Sequence, residues 1–336
     1  MSTGARNFET LDALRGVAAL GVLFFHEPTL GSAWFPGGYL AVDLFFMLSG
    51  FVISHAYTAR MAAGLAVRDF LQARAIRLWP MLAIGAALGI ALHGGHAASL
   101  FLLPDWRSPG NLFPSNPPLW SLMFEVLAYL AFALGGWRLG SKALAAIAIA
   151  SLAVLAALAA NSAIPPSDFG AHWSTLWGGL ARIGFGFAGG MLLQRLWRRH
   201  AYPGRKTAMG WLPLAVLIAV MALVPPDASW SALAAIAVVF PAVIWLGLRW
   251  EVPQSALARF LGAISYPLYC VHVPLLAWLV TGPQSAGIAL LALPFLSLVL
   301  ERMADRPARA WLAAMLAGQA KAQSSTPATT GAPSKS

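Results

Sequence analysis

The stretch Leu11-Asp12-Ala13-Leu14-Arg15-Gly16-Val17-Ala18-Ala19-Leu20-Gly21-Val22-Leu23-Phe24-Phe25-His26 decides the fold. It is an apolar run that approaches the roughly 20 residues a bilayer-spanning helix needs, yet it carries an arginine and a histidine. Nine more such runs follow it. The ten apolar stretches fall at about 11–27, 38–58, 76–94, 118–136, 143–160, 174–195, 207–224, 230–248, 260–280 and 285–303. Residues 97–103 are too few to span and read as a re-entrant or interfacial element before the Pro-rich loop 104–118. The expected fold is all-α, a polytopic transmembrane helical bundle of about ten spans. The first run contains Arg15 and lacks a small-residue cleavage site, so no signal peptide is expected.

Composition leads to the same class. Of the 336 residues 59% are hydrophobic and 10% are charged, and the mean hydropathy is +0.70. A soluble domain carries about 25% charged residues, so this chain cannot cover a water-facing surface with its own polar groups. Its net charge is +10. In a membrane protein such an excess reflects the positive-inside rule and contact with anionic lipid, so the lipid bilayer is the expected partner and nucleic acid is not. Nineteen of the 22 lysines and arginines fall at the chain ends and in alternate loops. They are Arg6, then Arg60, Arg68, Arg74 and Arg77, then Arg138 and Lys142, and then Arg195 to Lys206. Arg249 and Arg259 follow, and after them the group from Arg302 to Lys335. That asymmetry places both the N- and C-termini in the cytoplasm. Residues 1–309 read as the transmembrane domain, and 310–336 as a short cytoplasmic helix at 310–320 followed by a disordered tail rich in Ser, Thr, Pro and Ala. The single Cys270 excludes an intramolecular disulfide and a Cys-based metal cluster, and His55, His93, His96, His172 and His200 form no ligand set, so no metal is expected.

With so few charges, those inside spans carry the functional information, because each costs a few kcal/mol or more unless it faces a cavity or a partner. Arg15 and His26 are eleven residues apart, which on a helix brings them within about 20° of one face and about 16 Å apart along the axis. Asp43, near the outer end of the second span, can orient an imidazole on the first. Glu125, in the second turn of the fourth span, can hydrogen-bond an acceptor hydroxyl or partner Arg182, the cation inside the sixth. Arg74 and Arg77, three residues apart at the start of the third span, offer forked cations suited to phosphate. Each also has a structural reading. Arg15 can snorkel to the headgroups while His26 sits at the interface. Asp43 can serve as an acid in a first helical turn, Glu125 as half of an ion pair, and the paired arginines as ordinary inside flanks.

Five blocks in order resemble the acyltransferase 3 family of bacterial integral membrane acyltransferases. They are Leu11-Asp12-Ala13-Leu14-Arg15-Gly16 running to His26, Val42-Asp43-Leu44-Phe45-Phe46 running to Ser49-Gly50-Phe51, and Arg74-x-x-Arg77-Leu78-x-Pro80. The others are Leu119-Trp120-Ser121-Leu122 running to Glu125, and Ile264-Ser265-Tyr266-Pro267-Leu268-Tyr269 with His272 and Pro274. The likeness extends from about residue 8 to 309, with Glu301 and Arg306-Pro307 echoing the family's closing motif. Val126-Leu127-Ala128 departs from the commoner text, which has a second acid, a Gln and an aromatic residue before the tyrosine matched by Tyr129. That difference bears on the acceptor more than on the chemistry. The chain ends soon after the tenth span, so the periplasmic hydrolase-like domain fused to some relatives is not expected.

The resemblance implies acyl-CoA as the donor, acetyl-CoA first among them, and a carbohydrate or glycolipid hydroxyl as the acceptor, at the bacterial cytoplasmic (inner) membrane. Arg74 and Arg77, with Arg15, would hold the nucleotide and pyrophosphate. His26 would act as general base, or as the nucleophile of an acyl-histidine intermediate. Asp43 would orient the ring, and Ser49, Ser121 or Arg15 would meet the oxyanion. Trp120, Ser121 and Glu125 carry the family's Trp-Ser-Leu-x-x-Glu motif at the substrate site, and His272 is expected to shape the cavity. The alternative from another class is a multi-span transporter or flippase of a small solute or glycan precursor, whose buried ions line a path.

Overall fold

A helix that is apolar around most of its circumference is stable only where both its backbone and its side chains avoid water, and this chain folds into a set of such helices. The computed structural model describes residues 8–161, 164–200 and 204–324. In chain order they are α1 Glu9–His26, α2 Ala41–Ala62, α3 Val67–His93, α4 Leu119–Leu134, α5 Ser141–Asn161 and α6 Leu176–His200. After these come α7 Leu212–Leu223, α8 Ser229–Arg249, α9 Ser255–Leu279 and α10 Pro283–Leu300. The protein is an all-α helical membrane protein. Each of the ten apolar stretches lies on one of these helices. Among the described residues, seven helical segments, containing α2, α3, α5, α6, α8, α9 and α10, are long and apolar enough to cross a bilayer. The other three are shorter or more charged: α4 has 16 residues, α7 has 12, and the 18 of α1 include Glu9, Asp12 and Arg15. Residues 97–101 form one short 3-10 turn.

Beyond α10 the structure differs in detail from the sequence reading. In place of a separate helix at 310–320, α10 runs through a π turn, Glu301–Asp305, into α11, Arg306–Ser324. A second π turn, Ala235–Val239, lies inside α8. Each is followed two residues after its end by a proline, Pro307 and Pro241. A proline cannot donate to the carbonyl four residues back, and the wider turn absorbs that missing bond without ending the helix. Arg6, Lys335 and the 325–336 part of the expected tail lie outside the described residues.

Helix α1 packs along α9, α2 along α6, and α9 also meets α3 and α10. The α2–α6 contact depends on glycine, because the two backbones approach closely. A Cβ at Gly190 of α6 would sit on the Met47 carbonyl oxygen and against the Phe51 amide nitrogen of α2, with Gly50 meeting the Phe187 carbonyl from the other side. At one end of the bundle the basic loops converge. There Lys206 Nζ is 3.0 Å and Arg259 Nη1 3.7 Å from the Glu9 carboxylate, and Arg195 Nη1 donates to Ser141 Oγ at 3.1 Å. A two-residue parallel pairing joins Arg205–Lys206 to Trp250–Glu251. Loops that the sequence reading assigned to one side thus meet at one basic end.

Gly190→Ala is expected to destabilise the protein by about 1–3 kcal/mol, the usual cost of overpacking. Thermal unfolding of purified protein in detergent measures it, with Gly287→Ala, which meets open space, as the control.

Candidate active site

A partly open cavity of about 200 Å³ lies among α1, α2, α3, α4 and α9. Six of the residues singled out from the sequence line it: Arg15, Ser49, Arg74, Arg77, Ser121 and Glu125. Helical spacing puts them there. Arg74 and Arg77 share the α3 face one turn apart, while Ser121, Glu125 and Tyr129 repeat every four residues along α4. The arginines mark the basic end, since Arg77 Nη1 is 3.9 Å from Asp305 and Asp305 is itself bonded by Arg309 at 2.8 Å. The guanidinium of Arg74 lies over the Tyr129 ring at 5.5 Å, and that of Arg77 over the Tyr266 ring at 5.2 Å. Among the described residues Arg74 Nε and Arg77 Nη1 have no hydrogen-bond partner although both atoms are buried. Both arginines line the cavity, and forked cations on such a wall are suited to an anion.

Midway along the cavity Glu125 Oε1 accepts hydrogen bonds from Ser49 Oγ at 2.7 Å and from the Tyr129 hydroxyl. The Ser49 and Tyr129 oxygens are 3.0 Å apart. Further from the arginines, Ser121 Oγ and the Tyr269 hydroxyl are 2.5 Å apart, and the Tyr269 ring continues toward His272, 5.8 Å away.

Asp43 and Trp120 lie elsewhere. Instead of orienting His26, Asp43 is bonded by Arg182, with Nε to Oδ1 at 2.9 Å and Nη2 to Oδ2 at 2.8 Å. The same guanidinium donates to the carbonyls of Phe169 at 3.1 Å and Tyr39 at 3.2 Å. Trp120 covers it, its ring 5.1 Å from Arg182 Cζ, and does not line the cavity. Both charged side chains are almost wholly buried, so the bidentate geometry and the extra carbonyls are what compensate for their lost hydration. Arg182 is therefore the partner of Asp43 and not of Glu125.

His26 ends α1, beyond the cavity wall. Its Nδ1 is 3.0 Å from the Val22 carbonyl oxygen and 3.3 Å from His272 Nε2. The turn that follows is fixed by the buried Glu27 carboxylate, which accepts from the backbone N–H groups of Thr29, Leu30 and Gly31 at 3.0, 2.7 and 2.8 Å. The site reading from sequence passed over Tyr129, Tyr266, Tyr269 and the contact between His26 and His272. Spacing alone could have suggested Tyr129, four residues after Glu125, whereas the histidine contact joins positions 246 residues apart. Among the described residues no three His, Cys, Asp or Glu side chains converge to hold a metal ion.

Comparison with known proteins places this chain in a family. A family profile described as "Acyltransferase domain" matches residues 8–314. The chain belongs to the acyltransferase 3 family. As a member of it, the chain shares segments with curated proteins. "Protein 2 in picA locus" of Rhizobium radiobacter is 44% identical over 82 residues, 24% of this chain and 43% of that protein. "Putative peptidoglycan O-acetyltransferase YrhL" of Bacillus subtilis (strain 168) is 29% identical over 175 residues, 44% of this chain and 27% of that one. "O-acetyltransferase OatA" of Staphylococcus aureus (strain NCTC 8325 / PS 47) is 29% identical over 146 residues, 37% of this chain and 24% of its own length. The acyltransferase 3 chain thus spans less than half the length of each of these relatives. No solved structure matches it.

Asp43→Asn is expected to cost about 3–5 kcal/mol, because it leaves a buried guanidinium without its counter-ion. The double variant Asp43→Leu/Arg182→Met should recover most of that loss. Thermal unfolding of the purified proteins in detergent measures both.

Proposed function

We propose that this chain transfers an acyl group, acetyl in the first instance, from acyl-CoA to a hydroxyl of a cell-surface or exported carbohydrate or glycolipid. It would do so in the bacterial inner membrane, with the basic end in the cytoplasm. The observation that carries the proposal is the cavity that joins three guanidinium groups at the basic end to hydroxyl and carboxylate side chains deeper in the bundle. Membership of an acyltransferase family supports the reaction class. The names of two relatives, an O-acetyltransferase and a putative peptidoglycan O-acetyltransferase, support acetyl as the group and a glycan hydroxyl as the acceptor.

In this reading Arg74 and Arg77, with Arg15, bind the phosphates of the donor through the guanidinium groups that line the cavity. The thioester arm extends along the cavity past Tyr269 toward His26. Eleven residues of α1 separate Arg15 from His26, a rise of about 16 Å that suits a long flexible arm. His26 Nδ1 faces a carbonyl oxygen, which can only accept, so Nδ1 carries the proton and Nε2 presents a lone pair. Nε2 takes the proton of the acceptor hydroxyl as its oxygen bonds to the thioester carbonyl carbon. The C–S bond then breaks, the thiolate of CoA leaves, and the proton on Nε2 passes to it. Arg15, about 16 Å along α1 from His26, lies at the phosphate end of this arrangement. Glu125, already accepting from Ser49 and Tyr129, holds the polar midpoint of the cavity.

His26→Ala is expected to lower acyl transfer by at least about 10²-fold, the lower end of a general base's contribution, with normal abundance in the membrane. Arg74→Ala and Arg77→Ala should raise the KM for acetyl-CoA more than they lower kcat. Purified protein given acetyl-CoA and a soluble oligosaccharide reports both, through thiol release and the mass gain of the sugar. Undiminished transfer by His26→Ala would remove the proposed base.

A further inference from the structure

The sequence reading gave the task of orienting His26 to a carboxylate, and the structure commits that carboxylate to Arg182. Another group stands beside the ring. His272, on α9, is 1% exposed, and its imidazole centroid is 5.0 Å from that of His26. Two carbonyl oxygens of its own helix face its Nδ1, Leu268 at 3.1 Å and Tyr269 at 2.9 Å. Carbonyls only accept, so Nδ1 of His272 bears a hydrogen, and in the neutral ring Nε2 is then an acceptor. That Nε2 is the atom 3.3 Å from His26 Nδ1. His26 Nδ1 carries its hydrogen because it too faces a carbonyl, that of Val22 at 3.0 Å. The two rings therefore agree: a hydrogen on His26 Nδ1 is shared between the Val22 oxygen and the lone pair of His272.

The surroundings of α9 hold this arrangement in place. Pro274 has no N–H to offer the carbonyl of Cys270, four residues back. Asn116 Nδ2 donates to that carbonyl at 2.9 Å and to Gly85 of α3 at 3.1 Å. At Pro274 itself the helix is tied again, where His93 Nε2 meets the Pro274 oxygen at 2.9 Å. The turn that carries His272 is thus fixed to α3 and to the segment leading into α4.

We propose that His272 is the positioning residue of the active site, a neutral imidazole that accepts the hydrogen bond of His26 Nδ1–H and so, jointly with the Val22 carbonyl, holds the tautomer and the orientation that present His26 Nε2 to the reacting hydroxyl. The inference rests on the reading of His26 as the base. A carboxylate in this place would also stabilise the imidazolium by charge. A neutral imidazole supplies orientation and tautomer alone.

The test uses full-length protein in detergent with acetyl-CoA and an oligosaccharide acceptor, comparing His272→Phe, which keeps a ring without an acceptor, with His272→Gln, which keeps an acceptor. His272→Phe is expected to lower kcat by roughly 10–100-fold, the size seen when an outer partner of a liganding histidine is removed, while the KM for acetyl-CoA changes little. His272→Gln should recover most of that loss. In a His26→Gln background His272→Phe should cause no further fall, since the two act as one unit. Nitrogen-15 spectra of histidine-labelled protein should show His26 protonated at Nδ1 in the wild type and a mixture of tautomers in His272→Phe. Equal losses in the Phe and Gln variants, persisting in the His26→Gln background, would make His272 merely structural and overturn the inference. A dead His26→Ala beside a fully active His272→Phe would overturn the inference alone. An active His26→Ala would overturn the base reading, and the inference with it.

Discussion

A guanidinium inside an apolar bundle must find acceptors for its hydrogens, and the clasp of Arg182 on Asp43 is where this constraint organises the molecule. From α6 the Arg182 side chain reaches the first turn of α2 through Asp43, the segment before α2 through the Tyr39 carbonyl and the segment before α6 through the Phe169 carbonyl. Trp120 of α4 closes over it. The pair sits where α2 and α6 run backbone to backbone, a contact that glycine at 50 and 190 permits. Desolvating two charges is costly, and such a pair stabilises a fold only when its remaining donors are also met, as most are here. By using up Asp43, the clasp leaves Glu125 as the carboxylate of the cavity.

The ionisable groups within the helices thus divide by how completely they are satisfied. Arg182 has a carboxylate and two carbonyls, and its role is structural. Arg74 and Arg77 have tyrosine rings beneath them and N–H groups with no acceptor. The rings offset part of the desolvation by their quadrupoles without occupying the N–H edges. His26 and His272 stand between these extremes, each with its Nδ1 on backbone carbonyls. Such contacts fix a tautomer and leave a basic nitrogen.

Much of this was legible in the sequence, and the limit has a physical cause. Apolar runs gave the positions of the helices, because the bilayer admits little else. Spacing of three residues put Arg74 with Arg77 on a single face, the family motif grouped Ser121 with Glu125, and all four line the cavity. What was not legible is which buried cation meets which buried anion. Asp43 and Arg182 are 139 residues apart, and Ser49 and Glu125 are 76. Nothing local distinguishes those pairs from Asp43 with His26 or Glu125 with Arg182. Trp120 shows the same limit. Its motif placed it at the substrate, while its indole face was better used over a cation 62 positions along the chain. The π turns were invisible for another reason. The sequence reading carried the 230–248 run past Pro241 and ended its last span before Pro307, and a widened turn has no residue pattern of its own to mark it.

The cavity's charge follows from these pairings. Three guanidinium groups and one carboxylate line it, and the carboxylate already accepts two hydroxyl hydrogens, which lowers its capacity to serve the arginines. Asp305 lies 3.9 Å from Arg77, too far for a hydrogen bond, and its nearer oxygen contact is with Arg309 at 2.8 Å. An excess of cation is therefore held in a partly enclosed site of low polarisability, where like charges repel and cost stability. A fold would shed that cost by substitution unless a ligand compensated it. A polyanion at the basic end would screen the three cations from one another. The same unfavourable charge would favour the approach of such a group.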